Sequence, residues 1–139
     1  MGNRIVLISC ASQKLKKQTK ARELYVSILF KLNLKYAEKL TPDHIFILSA
    51  KYGLVTLDQE IEPYDQTLNM MSSSEVKKWA NQILDQLREY CSTEETEFVF
   101  LAGERYRKHL LPHLKNIQIP LQGLGIGKQI HKLKKLIDE

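Results

Sequence analysis

Four apolar runs of strand length in this chain each break off abruptly into a cluster of small, polar and charged residues, and three of the clusters lead into an amphipathic helix. The runs cover residues 5–8, 45–48, 98–101 and 117–121. They end respectively in Ser9-Cys10-Ala11-Ser12-Gln13-Lys14, Ser49-Ala50-Lys51-Tyr52-Gly53, Ala102-Gly103-Glu104-Arg105-Tyr106 and Gln122-Gly123-Leu124-Gly125-Ile126-Gly127. Strands joined by crossover helices are parallel, so all four clusters meet along one sheet edge. Ligands of open α/β sheets bind at that edge.

At 139 residues the chain is long enough to bury a core without metal or disulfide support, and it reads as one domain over 1–139. No apolar stretch approaches a membrane span and no secretory leader pattern opens the sequence, which predicts a soluble, cytoplasmic protein with no membrane partner. Two cysteines, Cys10 beside a strand end and Cys91 late in a helix, do not make a disulfide framework. The net charge of +5 is concentrated at Lys14, Lys16, Lys17, Lys20 and Arg22 and again at Lys128, Lys132, Lys134 and Lys135. On a parallel sheet the first cluster and the start of the second border the ligand edge, and a positive edge favours phosphate-bearing partners.

Helical spacing of Leu24, Ile28, Leu32 and Tyr36 predicts a helix over residues 22–40, stopped by Pro42. Residues 53–71 are irregular and broken by Pro63. Ser72-Ser73-Ser74-Glu75 reads as a helix cap with an acidic first turn, opening a helix through Trp79, Ile83 and Leu87. A short basic helix over 106–114 and a terminal one over 127–137 complete a β-α-β-α-β-α-β-α order. The predicted fold is α/β, a three-layer sandwich with a central, mainly parallel four-stranded sheet.

The clusters carry candidate chemistry. Gly123, Gly125 and Gly127 let the backbone approach a ligand before a helix N-terminus, with Gln122 beside them, although neither the Walker nor the dinucleotide spacing is present. Lys51, Tyr52 and Gly53 join a cation, a stacking ring and a turn, with Ser9, Cys10, Lys14 and Ser49 at neighbouring strand ends. Glu62, Tyr64 and Asp65 place two carboxylates and a tyrosine on a proline-constrained loop, and Gly103, Glu104, Tyr106 and Arg107 add an acid, a ring and an anion-binding guanidinium. No histidine lies in any cluster and the four histidines form no ligand-like set, so neither a thiolate–histidine pair, a metal nor another cofactor is expected.

The segments Leu48-Ser49-Ala50-Lys51-Tyr52-Gly53-Leu54, Glu62-Pro63-Tyr64-Asp65 and Leu68-Asn69 resemble the bacterial peroxide-stress YaaA family. Together with 101–106 and 120–127, the chain is similar to short bacterial and phage domains of unknown function related to that family. The resemblance implies a shared fold and a site at the motif-bearing edge. It also invites comparison with the uracil-DNA glycosylase architecture, a likeness at the level of fold alone.

These readings converge on an enzyme directed at a nucleobase, nucleotide or nucleic acid, with hydrolysis of an N-glycosidic bond as the leading reaction. Asp65, Glu104 and then Glu62 are the expected acids, Tyr52 and Tyr64 the stacking rings, and Lys14, Lys51 and Arg107 the phosphate contacts. The rival reading is a non-catalytic DNA- or RNA-binding or nucleotide-sensing module in stress response or phage defence.

Overall fold

The computed structural model describes residues 3–139. Its first strand, β1 (Arg4–Ser9), is followed by a long loop, a short strand β2 (Thr19–Lys20), a single helical turn α1 (Ala21–Leu24) and helix α2 (Ile28–Lys39). Strands β3 (His44–Ser49) and β4 (Gly53–Thr56) come next, then the short β5 (Glu60–Ile61), a 3-10 turn at Leu68–Met70 and helix α3 (Ser73–Arg88). The chain ends with β6 (Glu97–Leu101), α4 (Glu104–Arg107), a 3-10 turn at Leu111–His113, β7 (Asn116–Gln118) and α5 (Ile126–Asp138).

The main sheet has five strands in the order β4-β3-β1-β6-β7. β3, β1, β6 and β7 are mutually parallel, as their apolar runs predict, and β4 is antiparallel to β3. Ile5, Val6, Leu7 and Ile8 are all fully buried. Because successive strand residues face opposite sides, both faces of the sheet are covered. From β1 the chain crosses over to β3 on one side, and from β3 it returns past β1 to β6 on the other. Right-handed crossovers therefore set α2 and α3 on opposite faces. The strand order reverses between β1 and β6, the position where open α/β sheets part to admit ligands.

Four local expectations change, one of them the basic helix expected over 106–114, which is replaced by α4 and the 3-10 turn at Leu111–His113. The sheet has five strands rather than four, because Gly-Leu-Val-Thr over 53–56 folds back on β3 instead of starting an irregular segment. Gly53 makes the reversal at φ +77, and the Gln86 side chain accepts a hydrogen bond from the Leu54 N–H at 3.0 Å. The helix expected over 22–40 is interrupted at residues 25–27. The Leu15 N–H donates to the Leu24 carbonyl and the Val26 N–H to the Gln13 carbonyl, each at 2.9 Å, which draws this stretch into an extended bridge with the basic loop. Ser27 then caps α2 afresh by accepting from the Phe30 N–H, and the buried face becomes Phe30, Asn33 and Ala37, leaving Ile28 64% exposed. The fourth parallel strand stops at Gln118 instead of Leu121, just ahead of Pro120, which has no N–H for a ladder.

Helix α3 forms as its sequence dictates. Ser72 and Glu75 make a reciprocal capping box, and Val76, Trp79, Ala80, Ile83, Leu84 and Leu87 are buried at helical spacing.

Candidate functional site

The basic loop after β1 is held in place by the segment that follows β4. β2 pairs antiparallel with β5, and the Ala21 and Arg22 N–H groups donate to the Gln59 and Leu57 carbonyls at 2.9 Å. This zipper carries Lys14 to the Pro63-Tyr64-Asp65 loop, which is distant in sequence. A cavity of about 290 Å³ opens between them, lined by Cys10, Lys14, Asp65, Thr67, Asn69 and Tyr106 among others.

Behind this cavity lies a buried hydroxyl network. Ser49 Oγ donates to the Tyr64 hydroxyl at 2.8 Å, and the Tyr64 and Tyr25 hydroxyls are 2.5 Å apart. Ser49 Oγ also accepts from the Lys51 and Tyr52 N–H groups, and its carbonyl accepts from Trp79 Nε1 at 2.8 Å. Burial pushes the Tyr25 and Tyr64 phenols far above the ordinary tyrosine range. Their rings face a cation: Lys14 Nζ lies 4.4 Å from the Tyr64 centroid and 5.7 Å from that of Tyr25. Partial burial lowers the Lys14 pKa, and the nearby Cys10 and Asp65 oppose that shift.

Tyr106 separates this cavity from a larger one of about 390 Å³, whose wall includes Ser9, Asn33, Gly103, Glu104, Arg107 and Gly123. Its hydroxyl is 3.3 Å from Cys10 Sγ, and its ring meets Trp79 edge-on at 5.7 Å. Burial is the main cause that raises the Tyr106 pKa, with Cys10 adding to it. Arg107 Nη1 donates to the Ala102 carbonyl at 2.7 Å, which orients the guanidinium across the end of β6. The larger cavity lies at the reversal of strand order, bounded by the ends of β1 and β6.

The structure brings Ser9, Cys10, Lys14, Asp65, Gly103, Glu104, Tyr106, Arg107 and Gly123 to these two adjoining openings. Asp65 and Glu104 make no direct ion pair among the described residues, while Asp65 lies close enough to Lys14 to favour its charged form. Gln122 borders a further opening with Glu104, Arg107 and Gly123. Gly125 and Gly127 stand at the start of α5 and are exposed.

Other candidates are placed elsewhere. Ser49 and Tyr64 are buried behind the site and support it from within. Gly53 is buried at the hairpin turn, and Lys51 is exposed with its Nζ 5.2 Å from the Tyr52 ring. Tyr52 packs edge-on against Tyr64 at 5.6 Å, while Glu62 is exposed and lines neither cavity. Sequence reasoning missed Asn33 and Tyr25, because each sits in a helical pattern that reads as ordinary packing. The available signal for Asn33 was a lone amide on the helix face shared with Phe30 and Ala37.

Neither a curated protein nor a solved structure matched the chain. A family model did, over residues 5–135. The chain belongs to that family, a family of unknown function designated DUF6884.

Proposed function

We propose that this member of the DUF6884 family is a nucleobase-directed hydrolase that cleaves an N-glycosidic bond at the carboxyl edge of its sheet. The observation that carries this reading is the convergence of Lys14, Asp65 and Tyr106 on one cavity beside the strand-order reversal. Such a reaction needs an anion contact, an aromatic surface and a carboxylate with no competing ion pair. Lys14 supplies the first, Tyr106 the second and Asp65 the third. Water adds to the anomeric carbon as the carbon–nitrogen bond breaks. Asp65 accepts the proton that water loses, and the base leaves with the bonding electron pair and takes a proton from solvent. Glu104, at the mouth of the second opening, is the other carboxylate in reach of a bound substrate. Kinship with the YaaA family belongs to the same reading and rests on the Tyr52-Gly53-Leu54 and Pro63-Tyr64 motifs.

Chromatography of free bases released from nucleosides, nucleotides, single strands and duplexes tests the reaction. Release is expected from at least one substrate, lowered a hundredfold or more by Asp65→Asn and retained in Cys10→Ser. Absence of release across all four substrate classes retires the hydrolase. The exposed Lys16 and Lys17 on the basic loop and Lys20 in β2 favour the second reading, a nucleic-acid-binding module. Salt-dependent binding that Asp65→Asn leaves unchanged, without turnover, supports it.

A further inference from the structure

The larger cavity contains a feature that the hydrolytic reading does not use. Asn33, on the inward face of α2, lines it and is only 5% exposed, yet its Oδ1 is buried without a hydrogen-bond partner. A buried carboxamide left unpaired carries a desolvation penalty that selection or folding would remove if nothing were to meet it. We propose that this cavity is a nucleobase slot and that Asn33 reads the edge of the base.

The rest of the wall fits that ligand. Leu29, Ile119, Leu121 and Leu124 supply apolar surface against which a flat ring can lie. Asparagine offers one acceptor and one donor side by side in a plane, and rotation of the amide presents either to the cavity. Nucleobases carry a donor next to an acceptor along an edge, so they can meet both. An aliphatic chain would leave Asn33 as unsatisfied as before.

A glycine in the wall adds an independent observation. Gly103 has φ of −65°, which any residue adopts, and a Cβ there would meet no atom within 4 Å. Neither backbone strain nor packing requires glycine there. Open space beside bare backbone suits close approach by a ligand.

This proposal rests on the nucleobase-directed reading, and the test separates the two. The full chain, labelled with nitrogen-15, is titrated with adenine, cytosine, uracil and hypoxanthine while the Asn33 side-chain amide resonances are followed. At least one base is expected to shift them saturably, and Asn33→Ala and Asn33→Ser to weaken its binding by roughly tenfold with unchanged circular dichroism. If those variants do not fold, the wild-type titration decides alone. Bases that do not bind, or that bind without moving the Asn33 amide, overturn the slot, which a resident water then explains. Base binding without base release from any substrate retires the hydrolase and keeps the slot. Wild-type kcat and KM for base release in Asn33→Ala retire the slot and keep the hydrolase.

Discussion

The Lys14 ammonium lies 4.4 Å from the centre of the Tyr64 ring, joining the basic loop after β1 to the proline-constrained loop after β5. Hydrogen bonds from Ser49 and to Tyr25 hold the far end of the ring in place beneath this cation. The position of a charged group at the cavity thus depends on a neutral, buried network behind it.

Ser49→Ala tests that dependence. Ser49 is fully buried and its hydroxyl serves Tyr64 and two backbone N–H groups. Its removal leaves buried polar groups short of a partner, costing about 1–3 kcal/mol. Urea unfolding should show a lower midpoint with an unchanged slope. Tyr64→Phe should lose less than Ser49→Ala, since it deletes one end of the bonds and keeps the ring beneath Lys14.

Alkaline pH should unfold the protein through its tyrosines. Tyr25, Tyr64 and Tyr106 have raised folded-state pKa values, so above pH 10 the unfolded chain releases protons that the folded chain keeps. The stabilising contribution is complete below the ordinary value of 10.0 and declines above it, by about 1.4 kcal/mol per pH unit for each withheld group. Absorbance of phenolate should show Tyr25, Tyr64 and Tyr106 titrating only with loss of ellipticity. Smooth titration of these residues in the folded state would contradict the burial argument.

Lys14 acts with the opposite sign in a lower window. Its folded-state pKa lies below the ordinary 10.5, so between the lowered value and 10.5 the unfolded chain binds more protons and stability rises with pH. Lys14→Met should flatten that rise in urea midpoints taken below the tyrosine window. A slope equal to that of the wild type would show that the ammonium is fully solvated.

Glycine substitutions should separate folding from ligand approach. At Gly53, φ is +77 and an added Cβ would come within 2.8 Å of the Gln82 and Gln86 side chains, so Gly53→Ala should cost at least about 1 kcal/mol. Gly103→Ala meets no obstacle in the chain and, as the cap of the short α4, should cost less than about 1 kcal/mol. Because Gly103 lines the larger cavity, the same variant should weaken nucleotide binding, which calorimetry would register. Thermal unfolding of both variants supplies the comparison.

The parallel strands, the capping box of α3 and the meeting of Ser9, Gly103 and Gly123 at one edge were legible in the sequence, because each is written in local chemistry. Runs of apolar residues buried on both faces read as parallel strands, and Ser72 with Glu75 reads as a cap wherever it stands. Tertiary structure decided what local pattern could not carry. Tyr25 leaves a helical spacing because backbone groups of residues 13 and 15 capture its neighbours, a bond between segments that no window of sequence contains. β4 exists because β3 offers it an edge to pair with. Tyr64 reads as an exposed stacking ring on a polar loop, yet the β2–β5 zipper presses that loop inward and makes the ring a support for Lys14. Asn33 acquires its meaning only when α2 lies over the ends of β1 and β6, since an amide on a helix is unremarkable until folding removes its water and supplies no partner. Residue chemistry alone determined which groups were available, and long-range packing determined which of them share a cavity, because burial and proximity are properties of the assembled chain.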